Sequence, residues 1–401
     1  MRTKLIIACI LSTFINLSGF CLTDKSAPKK PAILLTSFSF RQFSGGVILL
    51  KATLNNIPDT LNFILDTGCG GISLDSATCE RLHLITTPSN VTIRGIAGAR
   101  KVNFSYNNTL VLPGLKVDSL NLHINDYELL ANVYGEHIDG IIGHSFFSRY
   151  IVMVNYDSNR INVYSPGQLK YPRGGHLLKP SVRSIPIHPG RLVESSIVNA
   201  RFYLDIGAGM CLVLSSNFAE DSINFASDKR MFETQAEGVG GKTRMRMTTV
   251  KEFKLGPYRL KNVPAFIFDD NYNVTEYPHL GGLIGNDLLR RFNVVFNYPQ
   301  KEIHLIPNKH YREKFDYSYT GLGFYFMDGV VRITDVMTGS PADKAGFKEG
   351  DIIVGMGNGF GRNIQEYKSI LMETGKTVKV IVRRQQELLE LKLKIASVLK
   401  G

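Results

Sequence analysis

Apolar and polar positions alternate along most of the chain, in short runs that turn residues interrupt. Residues 33–40, 47–54 and 60–65 have the two-residue period of β-strands and are separated by SGG and NNIPD segments. A long alternating run follows at 91–111, whereas helical spacing is confined to short stretches such as 76–84. The pattern predicts a mainly β protein with short helices.

Several blocks of this pattern occur twice, in the same order. The matching pairs are 63–68 (FILDTG) with 203–207 (YLDIG), 93–98 (IRGIAG) with 236–241 (AEGVGG), 137–143 (HIDGIIG) with 279–285 (HLGGLIG), and 152–156 (VMVNY) with 294–298 (VVFNY). Four blocks in one order indicate an internal duplication. Two similar lobes related by a pseudo-twofold axis would bring Asp66 and Asp205 together across their interface.

Each of these two aspartates stands where an apolar strand ends and the chain turns. Gly68 and Gly207 let the backbone turn at once, and the Thr67 hydroxyl is able to hydrogen-bond locally. A lone Asp-Thr-Gly also fits an Asx-type turn at a strand end. The hypothesis that Asp66 and Asp205 are a catalytic pair therefore depends on the repeat.

With these motifs, residues 34–308 resemble the pepsin/retropepsin superfamily of aspartic proteases, and most of all the bacterial retropepsin-like proteins that carry a PDZ domain. The resemblance implies a two-lobed acid-protease β-barrel pseudo-dimer. It implies that Asp66 and Asp205 share one proton and activate a water molecule, without a metal or organic cofactor, supported by Thr67, Gly68 and Gly207. The implied substrate is an extended peptide or an unfolded protein.

The resemblance also implies two flap hairpins that close over the substrate, with glycines at Gly95, Gly98, Gly238 and Gly241. Residues 236–243 (AEGVGGKT) fit a loose phosphate-binding loop as well. That motif must open a helix, but the alternating residues after it favour a strand. We therefore interpret this segment as the second flap.

One position departs from the superfamily pattern. Ile206 stands where Thr or Ser is usual, so Thr67 is expected to lack its reciprocal hydroxyl beneath the aspartates. Three interpretations remain open at this point. They are an active endopeptidase, a catalytically impaired protease fold that binds peptides, and a scaffold whose third domain recruits partners.

The third domain resembles a PDZ domain over residues 315–398. The motifs are 320–326 (TGLGFYF), 339–342 (GSPA) and 350–353 (GDII). The predicted carboxylate loop, which turns backbone N–H groups toward one point, consists of Gly321, Leu322, Gly323 and Phe324. A peptide C-terminus bound beside this loop is one interpretation, and a PDZ-like fold that only packs on the protease is the other.

The predicted domains are a signal peptide at 1–22, a first protease lobe at 32–165, a second at 182–309 and the PDZ domain at 315–398. Residues 1–4 (MRTK) followed by an apolar stretch are typical of a secretory signal. They predict a secreted or periplasmic, cell-envelope protein, with lipoprotein anchoring at Cys21 as an open alternative and no spanning helix in the mature chain.

Composition narrows the remaining possibilities. The net charge of +12 is dispersed, without basic runs or aromatic–basic interleaving, so nucleic-acid binding is not supported. The nine histidines and five cysteines include no zinc spacing. Of the cysteines beyond the signal, Cys69, Cys79 and Cys211, at least one cannot pair within the chain.

Overall fold

The computed structural model describes residues 30–238, 240–313, 315, 320–361 and 363–398. The predicted signal peptide and Cys21 lie outside these residues. The strands of the first half are β1 (Leu34–Ser39), β2 (Arg41–Gln42), β3 (Ile48–Leu54), β4 (Leu61–Leu65), β5 (Ile72–Asp75), β6 (Thr92–Gly95), β7 (Gly98–Lys101), β8 (Asn103–Leu112), β9 (Leu115–Asn125), β10 (Gly140–Ile142), β11 (Ile151–Asn155) and β12 (Arg160–Tyr164).

The second half of the protease region and the C-terminal domain are also built mainly of strands. These are β13 (His176–Leu178), β14 (Ser181–Val182), β15 (Pro186–Val193), β16 (Ile197–Asp205), β17 (Leu212–Ser215), β18 (Phe232–Gly238), β19 (Gly241–Leu255), β20 (Tyr258–Phe268), β21 (Gly282–Gly285), β22 (Phe292–Asn297), β23 (Glu302–Pro307), β24 (Leu322–Met327), β25 (Val330–Val336), β26 (Ile352–Met356), β27 (Thr377–Arg384) and β28 (Glu387–Lys394). The helices are α1 (Ser76–Arg81), α2 (Glu128–Tyr134), α3 (His144–Phe147), α4 (Ser216–Ser222), α5 (Asn286–Leu289), α6 (Pro341–Lys344) and α7 (Ile364–Ile370). The mainly β class predicted from the alternating pattern is confirmed.

Each of the two duplicated lobes contains a closed six-stranded barrel. In lobe 1 the strands follow the order β3-β4-β10-β5-β9-β8, and pairing of β8 with β3 closes the ring. In lobe 2 the order is β15-β16-β21-β17-β20-β19, and β19 closes onto β15. The repeated sequence blocks thus fold into repeated structures, and the two-barrel pseudo-dimer is confirmed.

A six-stranded sheet joins the lobes, in the order β1-β12-β11-β22-β23-β13. Its central pair, β11 and β22, consists of the two copies of the repeated VNY-like block, with Val152 opposite Phe296. The sheet packs into one continuous core with both barrels, including Phe147, Phe202 and Phe292. Burial of this shared apolar surface fixes the orientation of the lobes.

Two local features are not visible in the sequence pattern. Residues 166–181 lie between the two predicted lobes, yet β13 within them pairs with β23 at the edge of the shared sheet. The short helix α5 spans only Asn286–Leu289, and Phe292 already begins β22. A helix of one turn has too few residues for its period to be read from the sequence.

The C-terminal domain is a five-stranded antiparallel sheet, β24-β25-β26-β27-β28, with α6 and α7. It has its own core around Phe324, Ile333 and Tyr367. Met337 packs in a separate cluster with Met245 and Phe266 of lobe 2, so the domain contacts the protease region. Within the described residues, no helix has the length and apolar character needed to cross a bilayer.

Candidate active site

Asp66 and Asp205 occupy equivalent positions in the two lobes. Asp66 directly follows β4, and its N–H donates a hydrogen bond to the carbonyl of Ile142 on the neighbouring parallel strand β10 at 2.9 Å. Asp205 ends β16, in register with Gly285 of the parallel strand β21. The repeated apolar-apolar-Gly strands therefore lie behind the two turns and fix where each carboxylate emerges.

The two carboxylates meet at the interface of the lobes and hydrogen-bond to each other. The glycine after each turn makes this approach possible. A Cβ atom on Gly68 would overlap the Asp205 carboxylate, and a Cβ atom on Gly207 would overlap that of Asp66. The structure thus brings together four of the residues singled out in the sequence, and it explains the two glycines by close approach.

Burial disfavours charge on the pair. Desolvation raises the pKa of Asp66 well above its usual value, and the charge of Asp205 and the hydrogen bond between the carboxyls raise it further. Desolvation also raises the pKa of Asp205, but hydrogen bonds from Asp66 and from the N–H groups of Gly207, Ala208 and Gly68 oppose that rise. The pair therefore holds a proton more readily than isolated aspartates do.

Thr67 connects the lobes beneath the carboxylates. Its hydroxyl donates to the carbonyl of Leu204 at 2.8 Å and accepts from the N–H of Ile206 at 3.0 Å. Both bonds cross the interface and are buried. Thr67 is therefore fully satisfied by backbone groups of lobe 2. What Ile206 removes is the equivalent hydroxyl from the opposite lobe, and its side chain packs instead in the shared core.

Restoring that hydroxyl tests its importance. We expect Ile206→Thr to have a kcat several-fold above that of Ile206→Val in peptide cleavage assays, because a net hydrogen bond contributes about 1 kcal/mol. Valine is the matched control, since it has the same shape as threonine but no hydroxyl. Equal kcat values for the two variants would show that the second hydroxyl does not affect the pair.

Two hairpins cover the carboxylates, one from β6 and β7 and the other from β18 and β19. Gly95 pairs with Gly98 at the first tip, and Gly238 with Gly241 at the second. The segment that fitted a loose phosphate-binding loop is thus a β-hairpin in the described residues, as predicted.

The flap tips touch each other across the cleft. A Cβ atom on Gly98 would lie 2.8 Å from Cα of Gly240, which itself has a φ of +102°. Gly240 was not among the predicted flap glycines, because the alignment of the two repeats matches Gly98 with Gly241 instead. The contact leaves no room for a side chain at Gly98 or Gly240. The two hairpins therefore meet through their backbones above the carboxylates.

Beneath the flaps lies a cavity of about 980 Å³ that contains Asp66 and Asp205. The PDZ-like loop, Gly321 to Phe324, lines the same cavity. The two predicted sites are separate in the sequence but lie in one cavity in the structure. Polar residues of the cavity that were not predicted from the sequence include Arg94, Glu237, Arg290 and Lys368.

Comparison with known proteins agrees with this geometry. A family model described as aspartyl protease matches residues 50–146 and again residues 193–288, one match in each lobe. A model described as PDZ domain matches residues 332–384. No curated protein matches the chain.

Proposed function

Because both lobes match the aspartyl protease model and the C-terminal domain matches a PDZ domain model, we propose that the protein is an aspartic endopeptidase whose catalytic dyad is Asp66 and Asp205. The observation that carries the proposal is the hydrogen-bonded carboxylate pair in a cavity beneath two flaps. Buried like charges cannot both ionise without a large electrostatic cost, so such a pair shares one proton and is suited to paired acid and base chemistry.

In the proposed mechanism, a water molecule between the carboxyls attacks the scissile carbonyl of an extended peptide. The ionised carboxylate of the pair accepts a proton from the water while its protonated partner donates one to the carbonyl oxygen. The resulting tetrahedral intermediate collapses when the carboxyl that took the water's proton gives it to the leaving nitrogen, its partner takes a proton from one hydroxyl, and the C–N bond breaks. The flaps exclude bulk water and hold the peptide near the dyad.

A fluorogenic peptide library assayed from about pH 3 to pH 8 tests this proposal. We expect a bell-shaped kcat/KM profile, because activity requires one proton on the pair. Activity should fall at low pH as the second carboxyl becomes protonated. It should fall again as pH rises through the raised pKa of Asp66, where the shared proton leaves. A profile that rises continuously toward alkaline pH would contradict a carboxyl dyad.

A second candidate function is peptide binding without hydrolysis, which the buried Ile206 favours. Without a hydroxyl at this position, the two carboxyls are held less firmly in line. Catalysis depends on that alignment more than substrate affinity does. The same library distinguishes the two functions, since a binding protein would retain peptides unchanged. The intact Thr67 bonds across the lobes support the endopeptidase as the first candidate.

We also propose that the protein is exported to the cell envelope or secreted. Support comes from residues 1–4 (MRTK), which are positively charged, and from the apolar stretch that follows. Lipid attachment at Cys21 is the alternative form of the same proposal. The mass of the mature chain distinguishes them, because lipidation adds acyl groups to the new N-terminus.

A further inference from the structure

The catalytic cavity and the PDZ domain are continuous. Leu322, Gly323 and Phe324 of β24 line the cavity, and so do Lys368 and Ser369 of α7. Among the described strands β24 is the edge of its sheet, so its outer side can offer backbone groups to an incoming chain. The space between this strand and α7 therefore opens directly toward the two aspartates.

The far end of the same groove is filled by the first protease lobe. Gly135, which ends α2, lies against Ile364 of α7, and a Cβ atom on it would overlap that side chain and lie 3.8 Å from Phe326 of β24. Leu322 and Phe326 lie near opposite ends of β24. A peptide that ran the full length of β24 would collide with α2.

Hydrogen bonds hold α2 in this position. Gln365 Nε2 donates to the carbonyl of Tyr134 at 2.9 Å, and Lys368 Nζ donates to that of Val133 at 2.7 Å. Gln365 Oε1 also accepts from the N–H of Ser44 at 3.2 Å. The last turn of α2 is thus capped by the PDZ helix rather than by solvent. The open approach to the carboxylate loop lies on the side of the catalytic cleft.

We propose that the PDZ carboxylate loop and the catalytic cleft bind one and the same peptide, so that the substrate is a polypeptide C-terminus cut a few residues from its end. This inference rests on the proposed endopeptidase function. The terminal carboxylate binds backbone N–H groups at Gly321 to Gly323, and the chain then leaves the short open part of the groove and crosses Asp66 and Asp205. Docking and cleavage become a single recognition event.

The charges that face the loop are mixed. Lys368 attracts a carboxylate, whereas Asp335 and Glu237, which line the same cavity, repel it. Recognition therefore depends on hydrogen bonds from the loop more than on net charge. This requirement makes a neutral C-terminal amide a sharp probe, because the amide has nearly the same size but lacks the charge that strengthens those hydrogen bonds.

The experiment uses the full-length protein and compares its cleavage of three forms of each library peptide that it cuts. The forms are the free acid, the C-terminal amide, and a version extended by about ten residues so that the original cut site lies far from the end. We expect kcat/KM for the amide to fall about ten- to a hundredfold, the loss typical of hydrogen bonds to a charged group. Mass spectrometry should find C-terminal fragments of one short length, and the extended peptide should be cut near its new end.

Two substitutions on one helix provide the matched comparison. Ser369→Tyr places a large side chain in the open part of the groove, and we expect it to bring the acid-to-amide ratio close to one. Glu366→Tyr lies on the same helix, is exposed and does not line the cavity, so its ratio should equal that of the wild type.

The outcomes separate this inference from the proposed function. Equal cleavage of acid and amide, with cuts at any distance from the end, would overturn the inference and leave the endopeptidase intact. No cleavage of any form over the whole pH range would overturn the proposed function and, with it, the inference. A strong preference for the free acid that Ser369→Tyr removes and Glu366→Tyr retains would support it.

Discussion

Asp66→Asn is expected to abolish peptide hydrolysis while it raises the free energy of unfolding at neutral pH. General acid–base catalysis contributes about 10²- to 10⁴-fold, and loss of the pair's shared proton should lower kcat by at least that factor. The stabilisation follows from linkage. The folded-state pKa of Asp66 lies above its unfolded value, so the folded chain loses stability as pH rises past the unfolded pKa, and asparagine removes this loss.

Activity assays and thermal unfolding of the same samples check both parts. The gain in stability should disappear at a pH low enough to protonate the carboxyls in both states, because the wild type is then uncharged too. Asp228→Asn is the control, since Asp228 is exposed and lies outside the cavity. Hydrolysis that survives Asp66→Asn would disprove the dyad.

Thr67→Val should have the largest effect on stability among substitutions near the dyad. Valine has the same shape, but it leaves the Leu204 carbonyl and the Ile206 N–H buried without the hydroxyl. Each unsatisfied buried group costs about 1–3 kcal/mol, so we expect a loss of about 2–4 kcal/mol and a lower kcat, because the same bonds hold the two turns together.

Denaturant unfolding measures this loss through the midpoint at constant slope. Thr36→Val is a suitable control, because the hydroxyl of Thr36 also bonds a carbonyl, that of Pro113, but near the surface. Water can replace the bond there, and the expected change is below about 1 kcal/mol. Equal effects at the two positions would mean that the bonds across the lobes are no stronger than surface ones.

The paired aspartates could be predicted because a duplication leaves a trace in the sequence. Asp66 and Asp205 stand at the ends of two equivalent apolar strands, and the repeated motifs 141–143 (IIG) and 283–285 (LIG) predict the strand behind each turn. Strand periodicity then specifies which side chains are buried, and this is why the barrels follow the alternating pattern. The same reasoning predicted the hairpin character of residues 236–243 despite their resemblance to a phosphate-binding loop.

The position of the PDZ domain over the cleft could not be predicted in this way. Gly135 and Ile364 are in contact, but the sequence around each of them does not predict that contact. A contact between domains depends on the shapes of the two surfaces, which leave no periodic pattern in the sequence. Helix α2 has seven residues, none of them fully buried, so it lacks the apolar stripe that identifies a helix. Gly240 was missed for a related reason, because hairpin tips depend on single φ angles rather than on patterns.

Covalent fusion of the lobes has a consequence for the chemistry of the pair. In a protease assembled from two identical chains, one codon specifies both symmetry-related positions. The surroundings of the two acids are then the same until a substrate binds. Here Thr67 and Ile206 diverge, and Asp205 accepts from three backbone N–H groups where Asp66 accepts from two. A single gene can thus give the two carboxyls different surroundings before any ligand arrives.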